Sequence, residues 1–216
     1  MSDVDDLQVL EVFLNNPDII KQRYRYTDKE SLEINNLIDE IEQTQFDKTT
    51  DKGAILENLM YKIFNMHNMY KVHNNLRTSS NEIDLVLKLD IAGTIYKNNI
   101  QYLEDDVIVE CKNYSKKVDV TYVGKFASLV NVSRCNVGLL ISKKGITGRS
   151  EWSDAKGLIK KIMLRDGHFI LDFNLEELRD LAGKTLADII NPKKDALKFD
   201  VDIDSLLSTH ELEASL

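Results

Sequence analysis

Apolar residues along this chain change their period several times, and each change marks an element. Between residues 4 and 46 they recur at helical spacing, with Leu7, Leu10, Phe13 and Leu14 in one set and Ile34, Leu37, Ile38 and Ile41 in another. The triplet Asn16-Pro17-Asp18 interrupts the run, so a largely helical stretch broken at Pro17 is expected. Residues 52–67 predict the next helix, with Leu56, Leu59, Met60, Ile63 and Phe64 as its apolar stripe. Tyr70 to Leu76 predicts a short strand. In EIDLVLKLD, residues 82–90, the period falls to two. Ile83, Leu85, Leu87 and Leu89 take one face, and Glu82, Asp84, Val86, Lys88 and Asp90 the other. IAGTIYKNNIQYL, residues 91–103, predicts a hairpin insertion around Asn98-Asn99. Further on come a buried strand over 106–112, a helix over 119–131 and an apolar strand over 136–142 that runs into the turn KKGITG. A helix over 153–165 has Ser153 as its N-cap, and a last strand over 168–173 precedes a last helix over 175–190. Asn191-Pro192 marks a turn or boundary. Strands alternating with helices predict a mixed β-sheet covered on both faces, an α/β sandwich.

Composition keeps this picture and adds one feature. The 216 residues suffice for one ordinary domain with an extension, and 43% hydrophobic against 30% charged residues is the profile of a globular protein. The start, MSDVDDLQVL, lacks the basic-then-apolar pattern of a signal peptide, and no apolar run is long enough to span a bilayer. Two cysteines, Cys111 and Cys135, make no disulfide framework, so a reducing cytoplasm is expected. The net charge of −8 argues against a nucleic-acid partner until its distribution is considered. Residues 110–165 hold twelve basic against four acidic side chains, while the segments on either side are acidic. Such asymmetry builds a local phosphate-binding face on an acidic protein, or simply solvated helix faces.

The basic segment opens with VIVECKNY, residues 107–114, in which a buried strand ends on Glu110, Cys111 and Lys112. Residues two apart on a strand share a face, so Glu110 and Lys112 project together. Asp84 lies off the apolar face of a candidate neighbouring strand. Clustered carboxylates repel unless a cation neutralises them, and Mg²⁺ often takes only one or two carboxylates plus a substrate phosphate. The backbone carbonyl of Cys111 offers a further oxygen. Lys112 beside such an ion would orient or deprotonate an attacking water, or stabilise developing charge. E-x-K alone is very common and by itself far more often marks a surface ion pair at a strand end.

The order of the surrounding motifs resembles a known family. KGAILENLMYKIF, NEIDLVL, VIVECKNY and VGLLISKKGITG, in that order, look like the PD-(D/E)xK or restriction-endonuclease-like nuclease superfamily, and most like its Mrr-type catalytic domain. The resemblance covers about residues 52–173. It implies an αβββαβ core, here at 51–191, with a helical N-terminal extension over 1–50 and an acidic tail over 192–216. It implies that Asp84 and Glu110 ligate Mg²⁺, or Mn²⁺ in its place, that Lys112 is the catalytic lysine, and that Glu57 is the helix carboxylate assisting the metal. Ile83 stands where the superfamily name has proline. DVTYVGKFASLV lacks the glutamine many Mrr-like members carry, leaving Lys125 or Tyr122 for similar work.

The resemblance implies a Mg²⁺-dependent endodeoxyribonuclease acting on foreign or modified DNA. Two strand cuts would need a homodimer or a partner subunit. A structure-specific repair or Holliday-junction nuclease, and a non-cleaving DNA-binding or assembly subunit, are the alternatives. Asn113, Tyr114, Lys116, Lys117, Lys125, Lys143, Lys144 and Arg149 are the candidate DNA contacts, the last three in a loop whose glycines also suit a plain turn. His67, His73, His168 and His210 lack zinc-ligand spacing and are structural or exposed. Asp200, Asp202, Asp204, Leu207 and Glu211 follow an EF-hand-like spacing, but Ser205 stands where that loop needs glycine, so an acidic tail is expected. The acidic extension is assigned to packing or dimerisation rather than to DNA.

Overall fold

A computed structural model describes residues 15–44, 49–77, 82–149 and 153–199. Helices α1 (Pro17–Arg23), α2 (Asp28–Gln43) and α3 (Thr49–Asn65) precede β1 (Tyr70–Arg77) and β2 (Glu82–Leu89). Helix α4 (Ile91–Asn99), β3 (Asp106–Lys112), α5 (Val120–Val132) and β4 (Val137–Ser142) follow. The chain continues through α6 (Asp154–Asp166), β5 (Phe169–Asn174), a 3₁₀ turn (Glu176–Leu178) and α7 (Leu186–Phe199). The five strands form one sheet in sequence order. β1, β2 and β3 are antiparallel neighbours, while β3, β4 and β5 run parallel. This is the mixed sheet with helices on both faces that the alternation of elements demanded.

The two faces bury separate cores. Leu85, Leu87, Val107, Val109, Leu139, Ile141, Leu171 and Phe173 share one cluster with the stripes of α2 and α3. Val86, Ile108, Leu140 and Ile170 share the other with α5 and α6. Ile34, Ile38 and Ile41 of α2 are fully buried, each contributing about 1.5–3 kcal/mol. Helix α2 of the acidic extension is therefore part of the core. Tyr26 fixes it further: its hydroxyl donates to the Ile63 carbonyl at 2.9 Å, and its backbone bridges Ala182. Arg179 adds ion pairs to Asp39 at 2.8 Å and Glu42 at 2.9 Å.

Several boundaries differ from the sequence reading. Pro17 opens α1 at its first turn, and the chain breaks again before Thr27, which forms a reciprocal capping box with Glu30. Leu7, Leu10, Phe13 and Leu14 lie outside the described residues, as do His210 and the acidic spacing from Asp200 to Glu211. Residues 91–99 are a helix rather than a hairpin. The Asp90 carboxylate accepts the Ile91 N–H at 2.7 Å and starts it, and Tyr96 is buried beneath it. Ser153 sits at the N-cap of α6 without a capping bond, and its Oγ instead accepts the Arg149 N–H at 3.0 Å. The expected helix over 175–190 is a 3₁₀ turn and a loop through Gly183, which has φ of +76°. Helix starts again at Thr185 and Asp188, which exchange backbone-to-side-chain bonds of 3.0 and 3.2 Å. Pro192 is inside α7 and not at a boundary; Lys193 and Lys194 pair with Glu177 and buried Glu104 and hold the helix beyond it. Ile83 leaves the face of Leu85 and joins the Val86 cluster. The regular ladder to β3 stops at Leu85, and Asn75, one residue past Leu85's partner on β1, has φ of +50°.

Gly93 gives a test of the α4 assignment. A β-carbon there would lie 2.2 Å from the Met69 carbonyl oxygen, which also accepts the Asp90 N–H at 2.9 Å. Alanine raises intrinsic helix stability by about 1 kcal/mol, but a rigid backbone contact cannot yield as a side chain would. Gly93→Ala is expected to destabilise the protein by about 1–3 kcal/mol in urea denaturation, despite its better helix propensity. A stabilised variant would contradict the packing of α4.

Candidate active site

The site is assembled where β2 and β3 part. Leu85 pairs with Val109, and the next residues along each strand are Asp84 and Glu110. At that point the Cys111 N–H donates to the Asp84 carboxylate at 2.7 Å, a side chain taking the place of a ladder carbonyl. Glu110 and Lys112 lie two apart on β3 and form an ion pair on the face of Ile108. Cys111 points the other way, buried in the opposite core, and burial pushes its thiol well up. Only its backbone faces Asp84.

Glu57 approaches from α3. Its Oε1 leans back over Gly53, one turn earlier, where an added β-carbon would sit 3.6 Å away. Asn113, the residue after β3, is buried and donates from Nδ2 to the Lys52 carbonyl at 2.6 Å. That bond fixes the start of α3 against the end of β3 and brings Glu57 into the field of Asp84, Glu110 and Lys112.

The electrostatics are those of crowded carboxylates. Burial raises the Glu57 carboxyl, and Asp84, Glu82 and Glu110 raise it further. Burial raises Asp84 against the opposing pull of the Cys111 N–H and Lys112. Burial and then Asp84 raise Glu110. For Lys112, burial works against the ammonium, but Glu110 and Asp84 outweigh it and hold its pKa above the usual lysine value. Glu82, at the start of β2, adds to the negative field; the sequence reading placed it only on the polar face of its strand.

Among the described residues, no three His, Cys, Asp or Glu side chains are close enough together to enclose a cation by themselves. The donor set suits a hard cation that keeps solvent: Asp84, Glu110, the Cys111 carbonyl and Glu57 offer oxygen only, and their mutual repulsion is what such an ion relieves.

The basic loops after β3 and β4 run side by side. Val118 and Ile146 form a parallel bridge, with the Val118 N–H on the Gly145 carbonyl and the Thr147 N–H on the Val118 carbonyl, both at 2.9 Å. Lys116, Lys117, Lys144 and Arg149 are exposed there, and Lys125 lies exposed on α5. Lys143 is engaged elsewhere. Its ammonium donates to the Ile41 and Glu42 carbonyls at 2.8 and 3.3 Å, at the C-terminal end of α2. The Asn113 amide is likewise committed to Lys52. The structure adds Lys52 to the basic set: with Tyr114, Ser115, Lys116, Lys117, Asp119 and Tyr122 it lines an open cleft of about 330 Å³ beside the site. The Lys-Gly pair opening the helix motif was its only sequence signal.

Residues 50–173 match the Mrr-type catalytic domain family, described as restriction endonuclease. The chain belongs to this family. As a member it carries a restriction-endonuclease-like nuclease domain, and the match runs from α3 into β5 and includes the four candidate catalytic residues. A search of solved structures finds the DNA modification-dependent restriction endonuclease AspBHI, with a TM-score of 0.41 and 15% identity over 82% of this chain. The alignment spans 43% of that enzyme's chain. No curated protein matches. No helix among the described residues is long and apolar enough to cross a membrane.

Crowded carboxylates store instability that a neutral residue releases. A carboxylate whose folded pKa is raised lets the native state bind more protons than the unfolded chain, so stability falls as pH rises through that range. Asp84→Asn keeps an oxygen to accept the Cys111 N–H while removing one charge. In EDTA at neutral pH this variant is expected to be about 0.5–2 kcal/mol more stable than the parent by denaturant titration, with the gain shrinking on acidification. A variant destabilised at neutral pH would show that the charge is already compensated.

Proposed function

We propose that the protein is a divalent-metal-dependent endodeoxyribonuclease that hydrolyses phosphodiester bonds in foreign or modified DNA. The observation that carries this reading is the convergence of Asp84, Glu110, Lys112 and Glu57 at the parting of β2 and β3, beside paired basic loops. Mg²⁺, or Mn²⁺ in its place, would be held by Asp84, Glu110 and the Cys111 carbonyl, with Glu57 assisting from α3, and would supply positive charge against the phosphate and make water easier to deprotonate. Asp84 is oriented for this by the Cys111 N–H. Lys112, kept charged by its two carboxylate neighbours, donates to the phosphate or the attacking water and stabilises the charge that grows as the new P–O bond forms. The attacking water gives up a proton to solvent, the old P–O bond breaks, and the departing oxygen takes up a proton from solvent. Lys116, Lys117, Lys125, Lys144 and Arg149 hold the backbone through phosphate contacts, which position DNA without reading sequence. Cutting both strands requires a second site, supplied by a second copy or a partner subunit.

The test is cleavage of supercoiled plasmid with Mg²⁺, Mn²⁺ or EDTA. Activity is expected with either ion and none in EDTA. Lys112→Ala and Asp84→Ala are expected to lose roughly 10²–10⁴-fold in rate with DNA binding retained. Cleavage that survives in these variants would overturn the assignment.

A further inference from the structure

Tyr114 and Tyr122 are large aromatic side chains left open to solvent beside the catalytic lysine. They are 40% and 36% exposed, and their rings meet at 5.5 Å between centroids, tilted by 59°. Tyr114 follows Lys112 by two residues, and its hydroxyl lies in the field of both Lys112 and Glu110. Its position is fixed by the anchor before it, since buried Asn113 is tied to the start of α3. Tyr122 stands in the first turn of α5, set by Asp119, whose carboxylate caps the Thr121 and Tyr122 N–H groups at 2.9 and 3.2 Å. Lys52, Lys116 and Lys117 line the same cleft, and Lys125 lies 5.5 Å over the Tyr122 ring.

Lysines alone would serve a phosphate backbone. Two solvent-facing rings in the same cleft add a π-surface, which duplex DNA does not use while its bases stay stacked. Cations that track the backbone beside aromatic rings that stack bases are the pattern of binding to unpaired strands. We infer that the Tyr114–Tyr122 pair is a stacking subsite for an unpaired nucleotide base next to the scissile phosphate. The substrate class this selects is duplex DNA with a local unpaired base, as at a mismatch, bulge or flap. The inference rests on the nuclease reading for its substrate, but its ring geometry is independent of the metal chemistry.

The probe is a short duplex carrying one bulged 2-aminopurine, compared with the same duplex fully paired, titrated with the intact protein in EDTA so that no cleavage intervenes. The wild type is expected to bind the bulged duplex more tightly and to quench its fluorescence by stacking. Tyr114→Ala and Tyr122→Ala are expected to lose that preference, binding the bulged duplex roughly 5- to 100-fold more weakly. Tyr114→Phe and Tyr122→Phe, which keep the ring and lose the hydroxyl, are expected to retain both quenching and preference. Equal wild-type affinity for the two duplexes, binding to neither, or a preference that survives in the alanine variants overturns the subsite. So does loss in the phenylalanine variants, which would assign the hydroxyls to phosphate. Both tyrosines are exposed, and thermal melting checks that each variant is folded. Plasmid cleavage by the wild type in Mg²⁺ is scored separately. Base preference without cleavage would sink the nuclease reading and leave the subsite standing, and the reverse pattern would sink the subsite alone.

Discussion

One hydrogen bond, from the Cys111 N–H to the Asp84 carboxylate, sets the geometry on which the rest of the site depends. Below it, β2 and β3 are an ordinary antiparallel pair whose side chains fill two cores. At it, the ladder gives way and a buried carboxylate takes a strand amide for itself. The bond orients Asp84 and ties the parting strands together beside Glu110. A buried carboxylate without such a donor would be too costly to keep charged.

Around this point the charges are arranged in opposition. Burial raises the carboxyls of Glu57, Asp84 and Glu110, the Asp84 charge raises Glu57 and Glu110 further, and Lys112 only partly offsets this. The loops outside carry lysines and an arginine, while the extension, though acidic overall, turns its carbonyls on Lys143 and its carboxylates on Arg179. An acidic centre inside a basic rim lets one small domain attract a polyanion and still place a cation against it. In the described part of the acidic extension, Ile34, Ile38 and Ile41 of α2 fill the core, and Glu33, Asp39 and Glu42 pair with Lys62 and Arg179.

The parts visible in the sequence were those written in local periodicity. The strand of Val107, Val109 and Cys111, the stripe of Leu56, Leu59 and Ile63, and the pairing of Glu110 with Lys112 on one strand face all follow from period and spacing. What was hidden depends on caps, packing and contacts that the period of apolar residues does not carry. Residues 91–99 passed for a hairpin because Ile91 and Ile95 point outward and Asn98-Asn99 looks like a turn; the helix is decided by the Asp90 cap and by Gly93 against the Met69 carbonyl. Ile83 obeyed alternation on paper and left it in space, because the ladder breaks beside it. Lys143 sat in a loop that suggests phosphate, yet its partners are carbonyls about a hundred residues earlier in the chain. Tyr114 and Tyr122 are eight residues apart, and only the folded loops bring their rings together.

Calorimetric titration of Mg²⁺ into the DNA-free protein decides whether Glu110 and Asp84 form a cation site left incomplete without substrate. Binding to the wild type is expected, and it is expected to be lost or at least tenfold weaker in Glu110→Gln, which keeps the side chain's shape and removes its charge. Equal Mg²⁺ affinity in the two proteins would contradict it.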